Sequence, residues 1–475
     1  MELTVLSGEQ VNRIHEASIA ILARTGVGVP HGEMRKRFAA AGAQVDEADE
    51  RVRIPESVVM ECLDVAGKQF TLYGRDRTRV AAFGQGTRNY NSAAGEALWV
   101  DDGFSNRRYT TLSDVRTAAV LGDALPEITI VGAMADPLDI PREYRCVAVA
   151  AEQIRHTTKP ITFWFYDRAS AKFVIELMAA VAGSEAEAAA HPLAYPLLEA
   201  ISPLHFPHDG IDLLFETCTL PLPVHLGPMA QTGATAPGTL AATLAQENAE
   251  ILASLCIVQL VRRGTPVCYG GIPHIFDMRT AQMVFAGPEQ ALMAVAMTQM
   301  GKSYGLPVYI NVGLTDSKTA DAQAGLEIGI TLACGALAGA DIFGHLGICG
   351  VDLGSSAVML VLQHEVVEYV ERLMRGIDIS DETLGLDEID RVGPSGNFLA
   401  SEFTALHFRR ELWFPRLLDR AFWEPWVVAG HADMFARCRE MKEAILACHK
   451  PVPLDDDTDK AVDEVMKAAR RYLLA

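Results

Sequence analysis

Pro307–Asp316 reads PVYINVGLTD, and shortly after it comes DAQAGLEIGITLACGALAGA, Asp321–Ala340. The first run is short, β-branched and closed by Asn, Gly, Thr and Asp, as a strand ending in a loop would be; the second is long, Ala-rich and helix-forming. Along a strand, successive side chains leave opposite faces. Val308, Ile310 and Val312 suit a face packed against helices, which leaves Tyr309, Asn311 and Gly313 for the other face. Two side chains that carry polar atoms would then look into whatever that face encloses.

The same grammar repeats on both sides of this unit. RNYNSAAG (88–95), ITIVGAMAD (128–136), PITFWFYD (160–167), PLLEAISPL (196–204), PVHLGPMA (223–230), PVCYGGIPH (266–274) and ADIFGHLG (340–347) are each extended runs ending in Gly, Pro, Asn or Asp. Helical stretches such as PREYRCVAVAAEQIRH (141–156) and TLAATLAQENAEILASLCIVQLVRRG (239–264) lie between them. Eight strand–helix units in series predict an α/β protein of the closed parallel (β/α)8 TIM-barrel class. An open doubly wound sheet is the alternative, but the G-x-G-x-x-G opening of a dinucleotide site is missing.

Extra helices flank the barrel core, placed at 86–355. Residues 1–85 read as a helical N-terminal region, opening with a Ser7–Gln10 capping box and stopped at Gly26. Residues 356–475 read as C-terminal helices packed on the barrel. Within them LHFRRELWFPRLLDRAFWEPW (406–426) gathers Trp413, Trp423 and Trp426. That segment is expected to clamp onto the barrel or onto a second copy, so a homo-oligomer is possible.

Composition narrows the partners. Asp and Glu number 61 against 41 Lys and Arg, a formal charge of -20. An acidic surface repels phosphate backbones, which argues against nucleic acid. The 9 cysteines are scattered and lack any C-x-x-C, as expected for reduced thiols in a cytoplasmic core, and no metal site is indicated. The chain opens with charged residues where a signal peptide needs an apolar run, and no stretch reads as a membrane span.

Applied around the ring, strand alternation turns Asn89, Asn91, Trp164, Tyr166, Glu199, His225, Tyr269, Asn311, Phe343 and His345 inward. A filled barrel takes Val, Ile and Leu at most such places, so rings and amides argue for a ligand cavity. Any one of these residues is equally at home in ordinary packing; the argument rests on their number. Several π faces attract a quaternary ammonium, each ring contributing roughly 0.5–2 kcal/mol. Trp164, Tyr166, Tyr269 and Phe343 are the expected cage. His225, His274, His345, Asn91 and Asn311 are the donors available to a ligand carboxylate. Gly227, Gly233 and Gly238 of GPMAQTGATAPGTL lack P-loop spacing and are expected at the mouth, where a large cofactor could approach the backbone.

GPMAQTGATAPGTLAATLAQENAEILASLCIVQL (227–260), GLPVYINVGLTDSKTADAQAGLEIG (305–329), LACGALAGADIFGH (332–345) and IHEASIAILARTGV (14–27) together resemble the trimethylamine methyltransferase family of corrinoid-dependent enzymes. The likeness covers nearly the whole chain. It implies a (β/α)8 barrel that passes a methyl group from a methylated amine to Co(I) of cobalamin carried by a separate corrinoid-binding protein, with no tightly bound cofactor of its own. The family's archaeal trimethylamine enzymes carry pyrrolysine inside the barrel, whereas every position here is a standard residue. The resemblance therefore implies the branch that acts on glycine betaine or similar quaternary amines. No catalytic residue is assigned, because in-line methyl transfer needs positioning; Glu199 either balances the cation or is a buried hydrogen-bonded carboxyl. Two other readings are open: a Schiff-base lyase using Lys159 or Lys318, and a non-catalytic quaternary-amine binding protein.

Overall fold

Each of the eight runs contains a strand, though a shorter one than the run. In the computed structural model, which describes residues 2–475, the strands are β1 Asn89–Ser92, β2 Val131–Gly132, β3 Ile161–Thr162, β4 Leu197–Leu198, β5 Val224–Leu226, β6 Val267–Gly270, β7 Val308–Ile310 and β8 Ile342–Leu346. Met1, the first residue of the expected 1–85 region, lies outside the described residues. Six strands form one parallel sheet in the order β4-β5-β6-β7-β8-β1. The other two, β2 and β3, pair in parallel with each other. A parallel bridge joins Asn91 to Ile130 just ahead of β2. The Ile161 amide donates to the Leu193 carbonyl at 3.0 Å, ahead of β4.

Parallel neighbours need crossovers, and helices such as Arg142–His156, Leu240–Val261, Pro288–Ser303 and Ala322–Ala338 supply them. Leu240–Val261 is long and apolar enough to cross a membrane by length and composition, contrary to the expectation that no stretch would be, yet 89% of its apolar window is buried inside the protein. Its Asn248 accepts from Tyr269 at 2.8 Å and its Glu247 accepts from the Ala230 amide at 2.9 Å, so it is built as an interior element.

The N-terminal region has the expected helices, Gly8–Arg24, Gly32–Ala40 and Glu56–Val65, and the Ser7–Gln10 capping box. It also has strands that the helical reading left out. One three-stranded sheet joins Val27–Gly28, Arg51–Arg53 and Gln44–Asp46, and an antiparallel hairpin pairs Phe70–Tyr73 with Val80–Phe83. The hairpin lies across the start of the parallel strands: the Asn89 amide group donates to the Ala82 carbonyl, and the Gly84 amide donates to Asp341, one residue before β8. Phe70, Leu72, Ala81 and Phe83 form one apolar cluster with Ile130, Tyr195, Cys268 and Ile342, and the ring of Tyr309 closes it on the strand-end side. Aliphatic and aromatic packing thus fills the strand-start half of the interior.

At the C-terminus, Asp456–Leu473 packs on Arg142–His156 and Arg168–Ala182, while Met434–Cys448 packs on Ala357–Met374. The Trp-rich segment buries Leu417 but leaves Trp423 70% exposed. All 9 cysteines are free, and Cys448 is exposed.

Candidate active site

The strand-end half of the interior is different. Tyr309 of β7 lies buried over Gly344 of β8, where a Cβ would collide with its ring. It is 4.2 Å, centroid to centroid, from His225 and 6.0 Å from His345, and His345 meets Trp164 edge-on at 6.0 Å. The Trp164 indole nitrogen donates to the Gly95 carbonyl at 2.6 Å, fixing the ring after β3 has ended at Thr162. On the other side of the run Phe163 stacks on Phe165 at 4.8 Å, so alternation continues beyond the formal strand.

Alternation alone would turn His345 outward, because Ile342 and Gly344 face in. A register shift between Phe343 and Leu346 intervenes, with His345 at a positive φ of 69°. A β-bulge of this kind re-aims one side chain. It brings His345 back among Trp164 and Tyr309.

Two residues expected in the cage point the other way. Phe343 stacks on Tyr90 at 5.0 Å, and both face the outer helices, where the Tyr90 hydroxyl donates to Glu371. Tyr269 also faces out, with its hydroxyl held by Asn248, so Cys268 and Gly270 are the inward residues of β6. In both strands each face is buried, and an aromatic ring packs equally well on either. Tyr166 reaches the rim, hydrogen-bonded to Asp136, which pairs with Arg145 at 2.9 Å. Gly227 is buried beside His225, bounding the interior rather than the surface, whereas Gly233 is exposed in the turn at Gln231–Ala236 with φ 90°. His274 lies buried against Phe285 at 4.4 Å, above the strand ends.

Several polar atoms here have no hydrogen-bond partner among the described residues. They are Asn91 Oδ1, His225 Nε2, Tyr309 Oη, Asn311 Oδ1 and both ring nitrogens of His274. Their residues are all 5% exposed or less. An unpaired buried polar group costs on the order of 1–3 kcal/mol, so a cluster of them marks a place completed by a ligand or water. Glu199 keeps exposed surface, yet it is deep enough that burial, with the nearby Asp352 carboxylate, pushes its pKa up to about 7. Accessible area deep within the protein means a hollow.

Asp352 lies near enough to Glu199 and to Glu96 for its charge to act on both. Burial raises Asp352 to about 7, and burial with the Asp352 and Asp136 charges raises Glu96 well above the carboxylate range. Neither was expected from the strand pattern, because both stand in loops past the strand ends. Val351 and Asp352 adopt positive φ of 65° and 56°, a costly conformation for a β-branched residue, and such strain gathers at functional sites. Burial lowers His225 and His274 to about 3 and His345 to about 4, so all three rings are neutral near pH 7. Behind the site, Glu247 accepts from the Ala230 and Ile272 amides, and Gln363 ties the Gly347 amide to the Gly313 carbonyl. These two position the strand-end loops.

The lysines do not enter the hollow. Lys159 Nζ donates to the carbonyls of Gly122, Leu125 and Ile128 at 2.6–2.9 Å, and Lys318 is exposed on the Asp316 carbonyl. A Schiff base would need a free amine facing the substrate space.

A parallel-sheet α/β fold whose strand ends gather rings, neutral imidazoles and carboxyls is the architecture of an enzyme with a small-molecule site. Residues 1–472 match the trimethylamine methyltransferase (MTTB) family, and the chain belongs to it. It is 30% identical to a trimethylamine methyltransferase of Desulfitobacterium hafniense over 96% of this chain and 91% of that one. A trimethylamine methyltransferase of Methanosarcina thermophila is also 30% identical, over 96% and 95%. The glycine betaine methyltransferase of Desulfitobacterium hafniense is 29% identical over 96% and 95%. Among solved structures, the monomethylamine methyltransferase of Methanosarcina barkeri superposes with a TM-score of 0.51 at 11% identity, covering 98% of this chain and 92% of that one, a likeness of fold. The protein is a methyltransferase.

Proposed function

We propose that the chain moves a methyl group from a quaternary amine to Co(I) of cobalamin carried by a corrinoid-binding partner. The observation that carries this reading is the hollow itself, where unpartnered polar atoms, Trp164 and Tyr309, and the carboxyls of Glu96, Glu199 and Asp352 converge at the strand ends. A permanently charged nitrogen is held by ring faces and carboxylates without needing hydrogen bonds of its own.

The chemistry fits the residues. In-line attack breaks one C–N bond, whose electron pair stays on nitrogen, and the methyl carbon passes to cobalt. The leaving group is a neutral tertiary amine, so no proton donor is required. The protein desolvates the cation, holds one methyl toward the opening and excludes water. The cobalt chemistry belongs to the corrinoid, and exposed Gly233 lies where such a partner would approach.

We also infer that β1 to β8 close into a (β/α)8 barrel over residues 86–355. The Asn91–Ile130 bridge and the Ile161–Leu193 bond support the two junctions outside the six-stranded sheet. The Phe70–Phe83 hairpin then caps the strand-start end, the helices ahead of it pack chiefly on Leu240–Val261, and 356–475 pack outside. Exposed Phe422 and Trp423 support self-association, which sedimentation would detect. The reaction is tested by following the visible spectrum of Co(I)-cobalamin with the purified protein, trimethylamine, and a panel of quaternary amines including glycine betaine. Methylcobalamin is expected with a quaternary amine and not with trimethylamine; turnover of trimethylamine alone overturns the reading.

A further inference from the structure

The bulge that aims His345 is held from outside the sheet. Pairing between β7 and β8 stops after Tyr309–Ile342 and Ile310–Phe343, and a buried backbone beyond that point must find other partners. Gln363, fully buried on the outer helix Ala357–Met374, supplies them. Its side-chain oxygen accepts from the Gly347 amide at 2.5 Å, and its nitrogen donates to the Gly313 carbonyl at 2.8 Å. A carboxamide offers one acceptor and two donors in a single plane, which an apolar side chain of the same length cannot replace. Both backbone partners are glycines in the left-handed region, with φ of 102° at Gly347 and 81° at Gly313. A Cβ at Gly347 would lie 2.3 Å from Met134, and one at Gly313 would lie 2.7 Å from Leu332.

His345 stands two residues before this tie. Its carbonyl accepts from the Ile348 amide at 3.2 Å, and the next residue, Leu346, pairs with Ser92 of β1. The bulge is thereby fixed on both sides. Within β8 His345 is the residue that keeps accessible surface, and its ring lies 6.0 Å from those of Trp164 and Tyr309.

We infer that Gln363 is a positioning residue for methyl transfer: from behind the sheet it sets the bulge that turns His345 into the site. This rests on the reading of the strand-end hollow as the active site, and not on which amine is the substrate. A matched control exists at the strand starts. Gln259, also buried, accepts from the Gly264 amide at 2.8 Å and donates to the Thr265 carbonyl at 2.9 Å, just ahead of β6.

The test compares full-length Gln363→Met, Gln259→Met, His345→Ala and the combination of Gln363→Met with His345→Ala, each checked for a cooperative melt. Turnover is followed with whichever amine of the panel above, trimethylamine included, yields methylcobalamin. Gln363→Met is expected to lower kcat/KM about tenfold or more, and Gln259→Met less than about twofold. With His345 already replaced, Gln363→Met should cost less than about twofold further, because a residue acting through another loses its effect when that one is gone. In histidine-labelled protein, the His345 ring signals, identified by their loss in His345→Ala, should shift in Gln363→Met and stay in place in Gln259→Met. Should Gln363→Met not fold, Gln363→Glu, which keeps the bond to Gly347, enters the same comparison with a loss of about threefold expected. Equal losses with and without His345, or unmoved His345 signals in a folded Gln363 variant, overturn the proposal. Unimpaired turnover in His345→Ala sinks the reading of the site as well. If no amine is turned over, the reaction assigned above fails, and the ring signals alone decide whether Gln363 aims His345.

Discussion

The two halves of the interior are made by the same strands and obey opposite rules. At the strand starts Phe70, Leu72, Phe83, Tyr195 and Ile342 fill the space with apolar contacts. At the strand ends Tyr309, His225, Asn91 and Asn311 are equally buried, yet leave hydrogen-bonding atoms unpaired, and carboxyls stand where an aliphatic core would continue. The first half contributes stability through close packing; the second gives some of it up. Where a fold tolerates unpaired polar groups a few ångströms above a well-filled core, function is the simplest physical reason.

The sharpest way to break the contrast is to damage the filled half. Phe83→Ala opens a cavity under the hairpin and should cost about 3–5 kcal/mol in denaturant unfolding, with the KM of the remaining folded enzyme little changed. A large KM shift would erase the division of labour.

The pH response comes next. Glu199 and Asp352 have folded-state pKa values raised to about 7, above the ordinary carboxyl range of the unfolded chain. For such groups the native state holds more protons, so their stabilising contribution is complete below the unfolded pKa and is lost as pH rises through about 7. Cation binding runs the other way, since it needs the carboxylates charged. Affinity for a quaternary ammonium should fall about tenfold between about pH 8 and about pH 6, and its stabilising effect on the melting temperature should grow toward alkaline pH. A pH-independent Kd would remove these carboxyls from the site.

Trp164→Ala removes a wall of the hollow and should lower kcat/KM roughly fivefold to tenfold. Unchanged turnover would move the site elsewhere. The smallest effect tests the correction to the cage: Tyr269→Phe loses only the bond to Asn248, about 1 kcal/mol of stability, and should leave turnover as it was.

The order of strands and helices was legible because Gly, Pro and Asn punctuate eight extended runs, and RNYNSAAG through ADIFGHLG all hold a strand. Facing was legible where one side of a strand was plainly aliphatic, as at Val308 and Tyr309 of PVYINVGLTD, but not at its end, where Gly313 turns toward Leu332 of the outer helix Ala322–Ala338 rather than inward. It failed at PVCYGGIPH and ADIFGHLG, where both faces are buried and the ring is the larger side chain on the outer face. His345 was placed inward by a rule that does not reach it, since the bulge rather than alternation turns it there. The hairpin had a signal, FTLY and VAAF alternating around a turn that begins at Gly74. Glu96 and Asp352 had none, because loops past a strand carry no periodicity from which a direction can be read.

The hairpin sealing the strand starts leaves the hollow as a cul-de-sac. Substrate must then enter and product leave through one doorway, so each spent amine has to clear the passage before the next molecule can be seated.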